Sequence, residues 1–443
     1  MWFIDLSRFE VLSSTFSLIH NSKMNVDRRK VSLFATAAVV RLLFFSFPGL
    51  PDLLTGRVEI STPVTSFKRL QEGLFLYNHN VSPYDGGVYH QAPLLLPLFS
   101  LLPNSMSYPA FTYLLYILVD LLSANALMQI AESGEAGSSK LYTSPRKDKR
   151  WSSYAIAAAF LFNPFTIATC IGRPTSVFTT CAILHAIAKA VVGASFTSMF
   201  ALSFASYLSI YPILLFPPLV LLAFDRKRTK NEEETVYSFV IGNALAVGGS
   251  LYALLQMSFL ITGSWEYLES TYGIQLLLPD LTPNVGLWWY FFIEMFDSFR
   301  NFFLGVFWIH LASYVAGLTL RLRRQPLFVL TILLGIFAIF KPYPSISDTS
   351  LFLALFPLYR HVFPLMRYTF LASSTVLYAT LLGPAFYYLW IYAGSGNANF
   401  FYAITLVWSL GLSILVADTL FAGLRDEWEV ERPEMRGKEI RQI

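Results

Sequence analysis

At 443 residues, with 55% hydrophobic and only 14% charged side chains and a mean hydropathy of +0.52, the chain is too apolar for a soluble domain, where about a quarter of residues carry charge. It reads as an all-α polytopic membrane protein. The net charge of +4 is small and scattered through short polar breaks, which argues against nucleic acid and marks topology instead.

Residues 1–30 form a polar cytosolic extension ending in Asp27-Arg28-Arg29-Lys30, with Met24 as an alternative start. The first span, 31–50, carries Arg41 at mid-length, so it is not a cleaved signal peptide. An arginine in lipid must face the bundle interior, and Asp120 is its candidate partner in a structural ion pair. The first outer loop, 51–91, contains Phe67, Leu70, Leu74 and Tyr77 at helical spacing opposite Lys68, Arg69, Gln71 and Glu72, which predicts an amphipathic helix lying on the membrane. Asn80-Val81-Ser82 is a formal glycosylation sequon, disfavoured by Pro83 and the nearby bilayer. Residues 92–130 make one crossing with a start broken at Pro103-Asn104. The basic loop 138–150 belongs in the cytosol.

Further spans are expected near 151–171, 175–192 and 195–223, the last as two short crossings broken at Tyr211-Pro212. The basic break Asp225 to Lys230 follows, then a crossing at 236–261. The second outer segment, 262–301, holds the turn Pro279 to Gly286. After it Tyr290, Glu294, Asp297 and Asn301 fall on one stripe of an interfacial helix, with Trp288, Trp289, Phe291, Phe292 and Phe296 on its other faces. Glu294 and Asp297 can serve as acid and base, or Arg300 can neutralise one of them; the structural reading is favoured. Crossings at 302–320, 327–340, 349–358, 368–390 and 401–424 complete about twelve, both termini cytosolic. They make one membrane domain, 31–424, followed by a charged, frayed cytosolic tail, 425–443.

Between the last two crossings, Ile391 to Thr405 collects two glycines, Ser395, Asn397 and Asn399 among aromatics. One reading is a tight turn using Asn and Gly for their tolerance of positive φ; the other is a ligand loop at the mouth of the bundle.

Catalytic chemistry is sparse. The two cysteines, Cys170 and Cys181, give no disulfide framework or thiol metal site, and the six histidines have no HExxH-type spacing, so no metal and no cofactor is implied. The plan of spans and outer loops resembles that of the lipid-linked glycosyltransferases, yet Asp52, Glu59, Glu72 and Asp85 form no acidic pair in the first outer loop. No phosphate loop, Ser-His-Asp signature or exposed Cys with an activating His is present.

Four blocks carry a resemblance: Arg57-Val58-Glu59 with Pro63; Ser82-Pro83-Tyr84 through His90 and Pro93; Pro279 to Phe296; and Ile391 to Thr405. Together they resemble the class U subunit family (PIG-U) of the glycosylphosphatidylinositol (GPI) transamidase. Residues before about Met24 and the basic loop 140–150 lie outside the resemblance. The resemblance implies a fold related to lipid-dependent mannosyltransferases of GT-C type, with lumenal interfacial helices. It also implies a non-catalytic subunit of the endoplasmic reticulum membrane that recognises the GPI lipid. The partners it implies are a cysteine-protease-like class K subunit, class T, class S and an anchor-attachment (GAA) subunit.

On that basis Asn397, Asn399 and Ser395, with backbone amides near Gly394 and Gly396, are expected to receive the lipid's hydroxyls and phosphate. Asn284, Glu294, Asp297 and Arg300 are expected to form the facing wall, and Trp288, Phe292 and Phe400 to hold acyl chains and glycerol. The competing readings are a dolichyl-phosphate-mannose-dependent glycosyltransferase, which needs an indispensable outer carboxylate, and a transporter, which needs more mid-membrane polar residues than Arg41, Asp120 and His185.

Overall fold

The computed structural model describes residues 28–105, 107–227 and 235–438. Met24, most of the extension 1–30, the break at 228–230 and the last five residues lie outside the described residues.

The helices are α1 (28–46), α2 (Phe67–Asn78), α3 (Pro109–Glu132), α4 (Ser153–Leu161), α5 (Pro164–Gly172), α6 (Ser176–Val192), α7 (Ser195–Leu208), α8 (Phe216–Lys227), α9 (Val236–Thr262), α10 (Trp288–Glu294), α11 (Asp297–Arg321), α12 (Pro326–Phe340), α13 (Ile346–Leu355), α14 (Thr369–Ile391) and α15 (Ala398–Glu431), with short helical turns between several of them. Local chemistry sets many starts. Proline occupies the first turn of α3, α5 and α12, where its missing N–H costs nothing. Ser152, Asn163 and Thr235 accept from the first-turn amides of α4, α5 and α9, and Ser345 with Asp348 makes a capping box on α13. Among the described residues the one β-type pairing is an isolated bridge between Ser138 and Thr143.

Five helices, α3, α9, α11, α14 and α15, are long and apolar enough to cross a membrane, six if the pair α4–α5 counts as one span bent by 53°. The sequence suggested a single straight crossing there; Asn163-Pro164 breaks it. Helix α12 is the centre. Every residue from Pro326 to Ile339 is buried among α8, α11, α13 and α15. A Cβ on Gly335 would lie 2.6 Å from Val416 of α15, so this close helix approach requires the small residue. Arg41 of α1 meets Asp120 of α3 as expected, Nε to Oδ2 at 2.8 Å, with both side chains buried.

All the described basic breaks gather at one end of the bundle. Arg146 bonds Asp426 at 2.6 Å and also reaches Glu429; Tyr142 reaches Asp426; Arg321 pairs with Glu427 at 3.0 Å and Arg323 with Asp225 at 2.7 Å. This network corrects the expectation of a frayed tail from Arg425. Helix α15 runs on to Glu431, with Arg425, Asp426, Glu427 and Glu429 buried.

At the opposite end the two long outer loops are joined. The amphipathic helix α2 turns Phe67 and Leu70 onto Tyr84, Tyr89, Phe99 and Tyr116, so its apolar face is covered by protein rather than by lipid. Its Arg69 pairs with Asp280 at 2.9 Å, Tyr343 donates to the Asp280 carbonyl at 2.6 Å, and His90 bonds the Ser270 carbonyl at 2.9 Å. Burial pushes the Asp280 carboxyl up, but the Thr282 hydroxyl and amide and Arg69 outweigh it and hold it below the usual carboxylate range. With the folded pKa below the unfolded one, this stabilisation is present above the unfolded value, about pH 4, and is lost as the pH falls through the folded value. Asp280→Asn should therefore raise hydrogen exchange over residues 279–287 at neutral pH. The unaltered chain should show the same loosening, corrected for intrinsic rates, only in acid. Equal protection in Asp280→Asn and wild type would contradict the clamp.

Candidate functional site

Helices α14 and α15 form an antiparallel hairpin. At their junction Gly394 takes φ 64°, and the amides of Ser395 and Gly396 both donate to the Leu389 carbonyl at 3.0 Å. Asn397 is the N-cap of α15, accepting from Phe400 N at 3.2 Å. The turn reading of this loop is thus correct locally, and two of the amides expected in an anion nest, those of Ser395 and Gly396, already close the end of α14. Asn397→Ala should cost about 1 kcal/mol of hairpin stability, whereas Asn397→Asp should retain the cap; thermal unfolding of the two variants distinguishes them.

The loop nevertheless touches the second outer segment. Tyr290 of α10 donates to Asn399 and stacks on Tyr402 with centroids 4.6 Å apart. Trp289, fully buried, stacks on Trp390 at 6.2 Å and packs beside Phe401, while Tyr402 donates to the Leu287 carbonyl at 3.1 Å. Phe400 remains 54% exposed beside Phe386. These rings join α10 to the mouth of the α14–α15 hairpin.

The remaining expected residues are dispersed. The single stripe Tyr290, Glu294, Asp297, Asn301 does not exist, because the backbone is extended at Met295 and Phe296 and a new helix starts at Asp297. Glu294 and Asp297 are exposed on separate helices. Arg300 neutralises neither; its Nη2 donates to the carbonyls of Leu278 at 2.6 Å and Leu277 at 3.2 Å. Asn284 is fully buried and folds its own turn, accepting from Gly286 N at 2.8 Å and donating to Thr282 O. Trp288 is also buried, its indole donating to the Phe340 carbonyl at 2.8 Å. Ser395 is exposed at the turn.

Beneath the aromatic cluster lies a cleft of about 260 Å³, far above the ~10–15 Å³ that one water needs. Ala379, Gly383 and Pro384 of α14, Phe401, Ile404 and Trp408 of α15, and Phe165 of α5 are on its wall. Arg57 and Glu59 of the first outer loop also line it, paired through Nη2–Oε1 at 2.7 Å and Nε–Oε2 at 3.0 Å. The pair leaves Arg57 Nη1 without a hydrogen-bond partner among the described residues, while the guanidinium lies 5.6 Å from the Tyr387 ring. The Trp408 indole N–H is buried and likewise unbonded. A Cβ on Gly383 would meet nothing within 4 Å, so the glycine opens the cleft. Sequence reasoning missed these residues as a site. The available signals were Arg57-Val58-Glu59 in the first outer loop and Gly383-Pro384 inside an apolar span.

Among the described residues no group of three or more His, Cys, Asp or Glu side chains can hold a metal. Cys181 and His185 approach at 3.5 Å one turn apart on α6, but the imidazole is already bonded to the Cys181 carbonyl at 2.8 Å. What the arrangement offers is a largely apolar cleft with two free N–H donors, which adjoins the aromatic cluster through Phe401.

Residues 35–408 match the family described as "GPI transamidase subunit PIG-U". The chain is 34% identical over 417 residues to the human "GPI-anchor transamidase component PIGU", covering 90% of this chain and 94% of that one. It is 35% identical over 420 residues to the Saccharomyces cerevisiae "GPI transamidase component GAB1", covering 94% and 99%. A Schizosaccharomyces pombe "GPI transamidase component GAB1 homolog" is 33% identical over 394 residues. Cleft residues Arg57, Glu59, Gly383 and Trp408 all fall inside the matched region, and the chain belongs to the PIG-U family of GPI transamidase subunits.

Proposed function

We propose that this chain is the non-catalytic subunit that recognises the GPI lipid and presents it for transfer to the new carboxyl end of a precursor protein. The observation that carries this reading is the single cleft that joins an apolar wall to a half-buried arginine and adjoins the aromatic cluster. A glycosylphosphatidylinositol has the matching sequence of parts. Its acyl chain fits the wall of Ala379, Gly383 and Ile404, where an apolar space stays dry until an apolar ligand fills it. Its glycerol ester oxygens can accept from Trp408, and its phosphodiester from Arg57 Nη1, a charge-assisted bond that survives partial desolvation. Its first sugars then meet Tyr290, Asn399 and Phe400, with Asn399 offering a donor and an acceptor together. In this reading Asn397, Asn284, Trp288 and Arg300 hold the wall in place, while Ser395, Glu294 and Asp297 stand at the rim.

The same reading sets the protein in the endoplasmic reticulum membrane. The basic end and both termini face the cytosol, and about twelve crossings in a GT-C-like arrangement are made by including α1 and the shorter helices. The transamidation chemistry is assigned to a class K cysteine-protease-like partner, with class T, class S and anchor-attachment (GAA) subunits completing the complex.

A GPI analogue carrying a photoactivatable group midway along one acyl chain tests this in the assembled complex. Cross-links should map to 379–384 and 401–408 and be competed by unlabelled GPI. Competed cross-links confined to other segments of the chain, or none to this chain, would overturn the proposal.

A further inference from the structure

The basic loop 138–150 plays no part in the cleft, yet it encloses a second cavity at the opposite end of the bundle. This space of about 370 Å³ is lined by Ser133, Gly134, Lys147, Arg150, Trp151 and His361, with Ile156 and Leu358 on its apolar side. Its shape follows from local structure. Gly134, at φ 69°, ends the run after α3, the loop folds back through the Ser138–Thr143 bridge, and Arg146 pins it to the buried carboxylates of α15. The cavity is therefore framed by a fixed loop.

Its polar groups are unequal in charge. Lys147 and Arg150 have no ion-pair partner among the described residues and are exposed at the rim. His361, 3% exposed, lines the same space and makes no hydrogen bond within the described residues. Arg360 adds a third cation close by, 5.3 Å from the Trp151 ring. Against these stand Asp148, also on the lining, Glu135, whose carboxylate is already taken by Arg226, and Asp426, whose charge reaches His361 but whose oxygens are held by Tyr142 and Arg146. Although His361 is buried, its ring nitrogens are not sealed from the cavity, so a ligand there can bond them. A basic rim, a buried unbonded imidazole and an apolar wall beside a half-buried tryptophan make an amphipathic anion site.

We propose that this cavity binds a phosphate group, with Lys147 and Arg150 supplying charge and His361 the buried hydrogen bond. An anionic phospholipid headgroup and free phosphate share that chemistry. The apolar side at Ile156 and Leu358 favours the lipid, since basic pockets between membrane helices on the cytosolic side suit anionic headgroups. This site is separate from the GPI cleft and rests on that reading only for the placing of the basic end at the cytosolic face.

The test uses the full-length protein in its complex, reconstituted into nanodiscs of phosphatidylcholine alone or with phosphatidylinositol, and separately titrated with inorganic phosphate in phosphatidylcholine nanodiscs. Hydrogen exchange over 133–152 and 356–365 and the lipid retained after detergent extraction are read for wild type, Lys147→Gln/Arg150→Gln and His361→Phe. Wild type should gain protection with phosphatidylinositol and retain it over phosphatidylcholine by roughly tenfold or more, and both variants should lose that preference. Protection by phosphatidylinositol that phosphate does not reproduce identifies a lipid headgroup; equal protection by phosphate identifies the free ion. No protection of wild type by either probe overturns the proposal. So does full retention in His361→Phe with loss only in Lys147→Gln/Arg150→Gln, because that pattern is surface attraction without a built site.

Discussion

Arg41→Leu should destabilise the folded protein by about 3–5 kcal/mol, the range found when one partner of a buried ion pair is removed. The arginine is fully buried, bonds Asp120 at 2.8 Å and donates through Nη1 to the Ala37 carbonyl at 3.2 Å. Without it Asp120, 3% exposed in the middle of α3, keeps a carboxylate with no counter-charge in a region lacking water. The pair as a unit is far less valuable, since taking two charges out of water offsets most of their attraction. Arg41→Leu/Asp120→Leu should therefore recover most of the loss. Thermal unfolding of detergent-solubilised protein separates the cases. Equal destabilisation by the single and double replacements would mean that the pair contributes through shape alone.

Gly383→Phe should lower transamidation at least about tenfold while leaving the complex assembled, the factor expected when roughly 1.4 kcal/mol of lipid affinity is lost. The position suits the experiment because a side chain there enters open space and replaces a mid-helix glycine, which itself costs roughly 0.5–1 kcal/mol. The new ring occupies the cleft between Ala379, Ile404 and Trp408 and competes with an acyl chain. Gly383→Ala is the control and should retain near-normal activity, being too small to fill the space. Reduced activity in both variants to the same degree would point to a backbone effect and away from an occupied cleft.

The parts of the fold that were legible in the sequence are those where one residue type has few options. Arg41 in an apolar run demanded a buried acid, and Asp120 supplies it; Tyr211-Pro212 marked a break, and a short 3-10 turn, Tyr211–Leu215, stands there. The failures have equally local causes. Met295 and Phe296 carry no glycine or proline, so nothing in their spacing revealed that α10 stops and α11 begins anew, and the acidic stripe was drawn across that gap. The amides near Gly394 looked available because a loop sequence does not disclose that the preceding helix ends in bonds to Leu389. Arg425 to Glu431 looked like a charged tail; Asp426 and Glu429 are instead buried against Tyr142 and Arg146 from a loop about 280 residues earlier, a pairing no local pattern announces. The cleft was invisible for the same reason: Arg57, Phe165, Gly383 and Trp408 come from four separate segments.

Lipid mass spectrometry of the affinity-purified complex, comparing wild type with Gly383→Phe in mild detergent, decides whether the lipid sits in this cleft. GPI should co-purify with wild type, and the other subunits but not GPI should co-purify with Gly383→Phe. Equal GPI recovery from both complexes would contradict a lipid held in this cleft.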